Sequence, residues 1–134
     1  MELIKISPDK ERAKSLLKMV ELIEERIKTQ DKIKMSALII IDYYEIIKEL
    51  ITAILFIEGY KTLSHKDLLD YIGKYHSEFN NQEMNILDEL RILRNRASYE
   101  GLIIQSEYLE RNESFFNKII IKLTGKAILY VINC

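Results

Sequence analysis

Between Met35 and Ile57 the chain is apolar on two sides of a helix at once. At about 100° per residue, Met35, Ile39, Tyr43, Ile46, Leu50, Ala53 and Ile57 fall into one stripe. Ile40, Ile47, Ile51 and Ile54 form a second, roughly 100° round from the first. A helix this greasy must be surrounded, either as the centre of a bundle or with one stripe serving as an oligomer face. One proline and four glycines leave little punctuation for a β protein. The expected class is therefore all-α, a five-helix up-and-down bundle forming a single domain over residues 1–134.

Helical spacing and capping residues place the other elements. Ser7-Pro8 reads as an N-cap followed by a first-turn proline, opening a helix over about 8–29 whose inward face is Ala13, Leu16, Leu17, Val20, Ile23 and Ile27. The central helix is expected over about 32–58, with Gly59 as its C-terminal stop. Ser64, with Asp67 at the capping-box position, opens a short helix over about 65–76 that packs through Leu68, Leu69 and Ile72. Asn80 or Asn81 caps a fourth helix over about 82–99, closed by Gly101. Ser106 begins a fifth over about 106–124, buried through Leu109, Phe116, Ile120 and Leu123. Gly125 is expected to interrupt it, and the tail 125–134 suits helix or strand equally well.

A net charge of −1 excludes a broadly basic coat, so a polyanion would have to meet a local patch. The lone Cys134 cannot form an internal disulfide, which suits a reducing, cytoplasmic setting. No signal peptide is read at the start, and the apolar run Leu50–Ile57 is far too short to span a membrane. Gly-rich phosphate loops, CxxC and HExxH patterns do not occur. Neither His65 nor His76 has a Glu three residues before it, so no metal site and no cofactor are expected. His65, in the first turn of the third helix, is read as a packing residue first and a catalytic base second, because the helix dipole disfavours its charged form. His76 is expected to contact terminal carbonyls, and the tyrosines to sit at the core edge with hydroxyls reaching a partner.

The functional signal lies in Asp88–Gly101. Ile86, Leu87, Leu90, Leu93 and Ala97 form an apolar stripe, yet Arg94 lies within it, flanked by Arg91, Asn95 and Ser98. An inward guanidinium keeps its proton and demands an acid or a phosphate. Asp42 and Glu49 border the central helix's first stripe, with Glu45 a little farther out, and the three are the natural supporting acids. Arg94 is thus half of a structural ion pair or the anion-reading residue of a site.

Arg94-Asn95-Arg96-Ala97-Ser98-Tyr99 resembles the signature of the HEPN superfamily, small all-helical proteins with an Arg, usually an Asn, three further residues and a His near the end of a late helix. The Gly59-Tyr60-Lys61 and Ser64-His65 connector is similar to that of archaeal HEPN-like proteins. The resemblance spans roughly 8–124 and implies a homodimer in which two motifs face one cleft. It implies binding, or metal-independent cleavage, of RNA or binding of a nucleotide, and in some members pairing with a nucleotidyltransferase in a toxin–antitoxin module. Residue by residue, Arg94 would hold the phosphate and Asn95 orient it, with Arg91 and Ser98 beside them. The His position is Tyr99, a phenol that is a poor general base at neutral pH. The toxin form's further Tyr is Gly101 here. Five residues of ideal helix set Arg94 and Tyr99 about 140° apart, so they are expected to converge only if the helix ends early or a second subunit supplies one of them. Without a ligand, the same chain would be an interaction module docking through the second isoleucine stripe. As a ribonuclease it would rely on Tyr99 or His65.

Overall fold

The computed structural model describes residues 1–133, and side chains through 1–132; Cys134 and its thiol chemistry lie outside the described residues. The fold is all-α apart from one short ladder. Its helices are α1 (Lys10–Thr29), α2 (Ser36–Glu58), α3 (His65–Tyr75), α4 (Asn81–Glu100) and α5 (Ser106–Asn133). Helix α2 packs against each of the other four. Both of its stripes are sealed: Ile39, Ile46 and Leu50 on one side and Ile40, Ile47, Ile51 and Ile54 on the other are fully buried. The two-sided pattern therefore marks the centre of the bundle. The second stripe faces the core and offers nothing to another chain.

Several ends differ from the sequence-based expectation. Helix α1 starts two residues late, because Asp9, not Ser7, caps it by accepting from the Arg12 amide at 3.0 Å. The residues ahead of it are used elsewhere. Strands β1 (Ile4–Lys5) and β2 (Tyr60–Lys61) pair antiparallel, Ile4 opposite Lys61 and Lys5 opposite Tyr60. The Ile6 amide donates to the Gly59 carbonyl at 3.0 Å, and that of Asp9 to the Phe56 carbonyl at 2.9 Å. The N-terminal strap thereby gives the Gly59 carbonyl a donor and adds a second to that of Phe56, which also takes the Gly59 amide at 3.3 Å. Gly59 makes the turn possible with φ 88°, a left-handed conformation that side chains disfavour.

Helix α2 begins at Ser36 instead of 32, because Asp31 Oδ1 takes the amides of Ile33 and Lys34 at 2.9 and 2.8 Å and folds that stretch into a turn. Ser64 caps α3 as expected, but Asp67 does not complete a box; its Oδ2 accepts from the Glu2 amide at 3.2 Å. Asn80 and Glu83 do form a reciprocal capping box on α4. Gly101 closes α4 in the left-handed conformation, and Ser36 Oγ donates to the Ile104 carbonyl at 2.6 Å, tying the next connector to the start of α2. Gly125 does not interrupt α5, which runs on to Asn133. Fully buried Leu123 and Ala127 flank the glycine in sequence and outweigh the roughly 1 kcal/mol that a helical glycine costs.

Among the described residues no helix is long and apolar enough to cross a membrane, and no group of three or more His, Cys, Asp or Glu is placed to hold a metal ion.

Candidate functional site

Helices α2 and α4 supply the site. Leu87 and Leu90 bury one face of α4, with Leu93 and Ala97 partly buried behind them, and this seats Arg94 at the junction with its side chain only 15% exposed. Its Nη2 donates to Glu45 Oε1 at 3.0 Å. Nη1 donates to Asn95 Oδ1 at 3.2 Å and to the Tyr99 hydroxyl at 3.3 Å. Nε is buried without an acceptor. The guanidinium also lies near two rings, its Cζ 5.8 Å from the centroid of Tyr44 and 5.6 Å from that of Tyr99.

Tyr99 meets Arg94 although α4 continues past it to Glu100. The two Cα positions diverge as ideal geometry requires, but the long arginine and the tyrosine ring bridge the gap along the helix surface. Neither an early helix end nor a second subunit is needed for their contact. Tyr99 remains 77% exposed, so this edge of the guanidinium sits at the rim while the Glu45 edge points inward.

Of the three expected acids, Glu45 alone bonds Arg94. Its Oε2 takes Lys48 Nζ at 2.7 Å, and Lys48 reaches Glu49 Oε1 at 3.0 Å. Burial raises the Glu45 carboxyl, but Lys48 and Arg94 outweigh burial and hold it below the usual carboxylate range. Burial likewise opposes the charge on Arg94, and its bonds to Tyr99 and Glu45 more than restore it. Asp42 is placed elsewhere. It is buried against α1, accepting from Arg26 Nε at 3.0 Å, Arg26 Nη2 at 2.6 Å and Gln30 Nε2 at 2.8 Å. It borders the same stripe as Glu45, but on the side that α1 covers.

The remaining candidates spread around this core. Arg91 Nε donates to Asp88 Oδ1 at 3.1 Å and Nη2 lies 3.0 Å from the same oxygen, an ion pair that keeps Arg91 on its own helix. Ser98 is exposed on α4. His65 lies beside Tyr44, ring centroids 5.7 Å apart, so one tyrosine separates it from Arg94. Burial depresses the His65 pKa, and Lys48, Arg94 and Arg91 push the same way against Glu45. The imidazole is therefore neutral at neutral pH and senses a locally positive field. Burial also lifts the Tyr44 phenol to about 12.

Lys48 was not a sequence-level candidate, yet it joins the two halves of the site. Together with Glu49, Thr52, Thr62, Ser64 and His65 it lines a shallow recess of about 330 Å³. Its signal was its place three residues after Glu45, one helical turn on.

His76, expected to meet helix-end carbonyls, is instead buried, with Nε2 2.8 Å from Glu58 Oε1. Tyr43 and Tyr71 meet partners as expected, and Tyr108 does the same: their hydroxyls donate to Glu113, Glu58 and Glu89 at 2.7, 2.9 and 2.9 Å, whereas Tyr44 lies fully buried in the core and Tyr75 is half exposed. No protein-family model, curated protein or solved structure matches the chain.

Proposed function

We propose that this chain is a HEPN-like domain that binds a phosphate of RNA or of a nucleotide at Arg94, in a cleft formed by two copies of the molecule. The observation that carries the proposal is the guanidinium's divided environment. Glu45 anchors its inner edge at 3.0 Å, while Nη1 reaches the rim, held only by the neutral acceptors Asn95 and Tyr99. A phosphate oxygen is a stronger acceptor than either, since it sets a full negative charge opposite a donor that is already ionised. Displacing the exposed tyrosine hydroxyl would expose Nη1 with no change in the backbone. Lys48 and the neutral His65 supply further donors in the adjoining recess. The resemblance adds the second copy, and with it a place in a cytoplasmic toxin–antitoxin or nucleotidyltransferase-associated system.

Filter binding of single-stranded RNA at two salt concentrations tests this proposal. Binding that weakens with salt and is lost in Arg94→Ala is expected. Binding that is absent, or indifferent to that substitution, refutes it. Sedimentation of the same protein should show a dimer.

A second reading, as an interaction module, draws on a different observation. The outer face of α5 exposes Ile121, Ile128, Leu129 and Ile132. On that reading Arg94 is purely structural, and Arg94→Ala would dissociate or unfold the protein.

Ribonuclease activity would require His65 or Tyr99 to take the proton from the ribose hydroxyl. EDTA-resistant cleavage leaving 2′,3′-cyclic ends, abolished in Arg94→Ala, would reveal it. Cleavage that persists in that variant would sink the mechanism.

A further inference from the structure

Far along the chain from Arg94, three tyrosines and a carboxylate meet where the N-terminal strap crosses the end of α2. Tyr60 comes from β2, Tyr71 and Tyr75 from one face of α3, and Glu58 is the last residue of α2; with Leu3 they line a recess of about 280 Å³. Tyr71 stands in the middle, its ring centroid 6.1 Å from that of Tyr60 and 5.0 Å from that of Tyr75, each pair tilted by about 50°. The recess is therefore walled by aromatic rings set at angles to one another. Tyr71 is buried and Tyr75 is half exposed.

We infer that this recess binds a small methylated ammonium cation of the choline type. Aromatic faces attract cations through the ring quadrupole, and a quaternary ammonium, which needs no hydrogen bonds, is the cation best matched to a wall of rings. One ring already demonstrates the pull: Lys74 Nζ lies 5.2 Å from the centroid of Tyr75. Glu58 supplies the counter-charge. Its Oε1 takes the Tyr71 hydroxyl at 2.9 Å and His76 Nε2 at 2.8 Å, which fixes the carboxylate in place. Burial and the Glu58 bond both raise the Tyr71 phenol, so it stays a donor.

The alternatives fit less well. A hard metal ion takes six to eight oxygen ligands, and one carboxylate with three phenols does not supply them. A primary ammonium needs three acceptors, and only Glu58 offers a charged one. The volume lies just below the range of drug-sized ligand sites, which suits a single headgroup.

Titrating the full chain with choline, while following the tyrosine ring resonances by NMR, tests the inference. Saturable shifts confined to Tyr60, Tyr71 and Tyr75 are expected. The neutral isostere 3,3-dimethylbutan-1-ol should bind about 2- to 30-fold more weakly, the span of one cation–π contact. Tyr75→Ala, at an exposed position, should weaken choline by a similar factor, whereas Tyr75→Phe keeps the ring and should bind normally. Glu58→Gln should weaken binding as well, and its far-ultraviolet circular dichroism reports whether the fold survives; Tyr75→Ala decides the matter if it does not. Co-sedimentation with phosphatidylcholine but not phosphatidylglycerol vesicles would make a lipid headgroup the source, and choline binding without it a free cation. The absence of saturable shifts, equal binding of the neutral isostere, or full affinity in Tyr75→Ala overturns the inference.

Discussion

Replacing Arg94 by alanine removes one partner of an ion pair whose side chains are 15% and 22% exposed. Deleting half of a fully buried pair costs about 3–5 kcal/mol, because a charge is left alone in a poor solvent. At the surface a whole pair is worth only about 0–1 kcal/mol. Two features bring this case between those limits. Glu45 keeps Lys48 at 2.7 Å on its other oxygen, so the carboxylate is not abandoned. The Arg94 Nε has no acceptor, so its removal also relieves a desolvation cost of about 1–3 kcal/mol. The expected net loss is about 1–3 kcal/mol, with the fold retained. For a chain of this size that lowers the melting temperature by about 4–12 °C. Urea unfolding should show a lower midpoint with an unchanged slope. A double-mutant cycle with Glu45→Ala should give a coupling of about 1–2 kcal/mol. A variant that fails to fold would mean that Arg94 is a structural keystone; a loss under about 0.5 kcal/mol would mean that the pair is dissolved in solvent. Either result refutes the account of a half-buried, shared carboxylate.

Further predictions follow from other residues. Folding depresses the His65 pKa, so its contribution is complete above 6.5 and falls away below it, as the unfolded chain takes up a proton that the folded one refuses. Denaturation at a series of pH values should show that decline, flattened in His65→Gln. Glu45, also depressed, loses its contribution only as the pH falls below 4.5, so the two windows separate. Arg26→Ala leaves buried Asp42 with Gln30 alone and should cost about 2–3 kcal/mol in chemical denaturation. Gly59→Ala forces a Cβ to 3.1 Å from the Ile6 carbonyl at φ 88° and should destabilise by about 1–2 kcal/mol, whereas Gly125→Ala, with open space around it, should stabilise α5 by about 0.5–1 kcal/mol. Thermal melts of both settle the contrast.

The legible parts of the sequence were those where a local pattern and a long-range need coincide. The doubled stripe of α2 announced a helix covered on two sides, leaving the bundle centre and an oligomer face as the choices, and Ser64, Asn80, Gly59 and Gly101 marked ends that the structure keeps. The illegible parts depended on which neighbour covers which side. Asp42 and Glu45 lie only about 60° apart on the helix, and nothing in either says that α1 claims the first and α4 the second. The strap Ile4–Lys5 was missed because two residues carry no periodicity; what defines it is Gly59, far away in sequence. Gly125 misled because its local cost is smaller than the burial around it. The bridge from Arg94 to Tyr99 was missed because angles between Cα positions ignore how far long side chains reach.

The most direct test of the phosphate-site proposal uses His65 as a reporter. Its imidazole, followed by NMR through a pH titration, should start below the ordinary 6.5 because burial, Lys48 and Arg94 hold it down. A saturating short RNA that places a phosphate against Arg94 and Lys48 should raise that value, and Arg94→Ala should abolish the rise. A titration curve that RNA leaves unmoved, or moves equally in Arg94→Ala, would contradict the site.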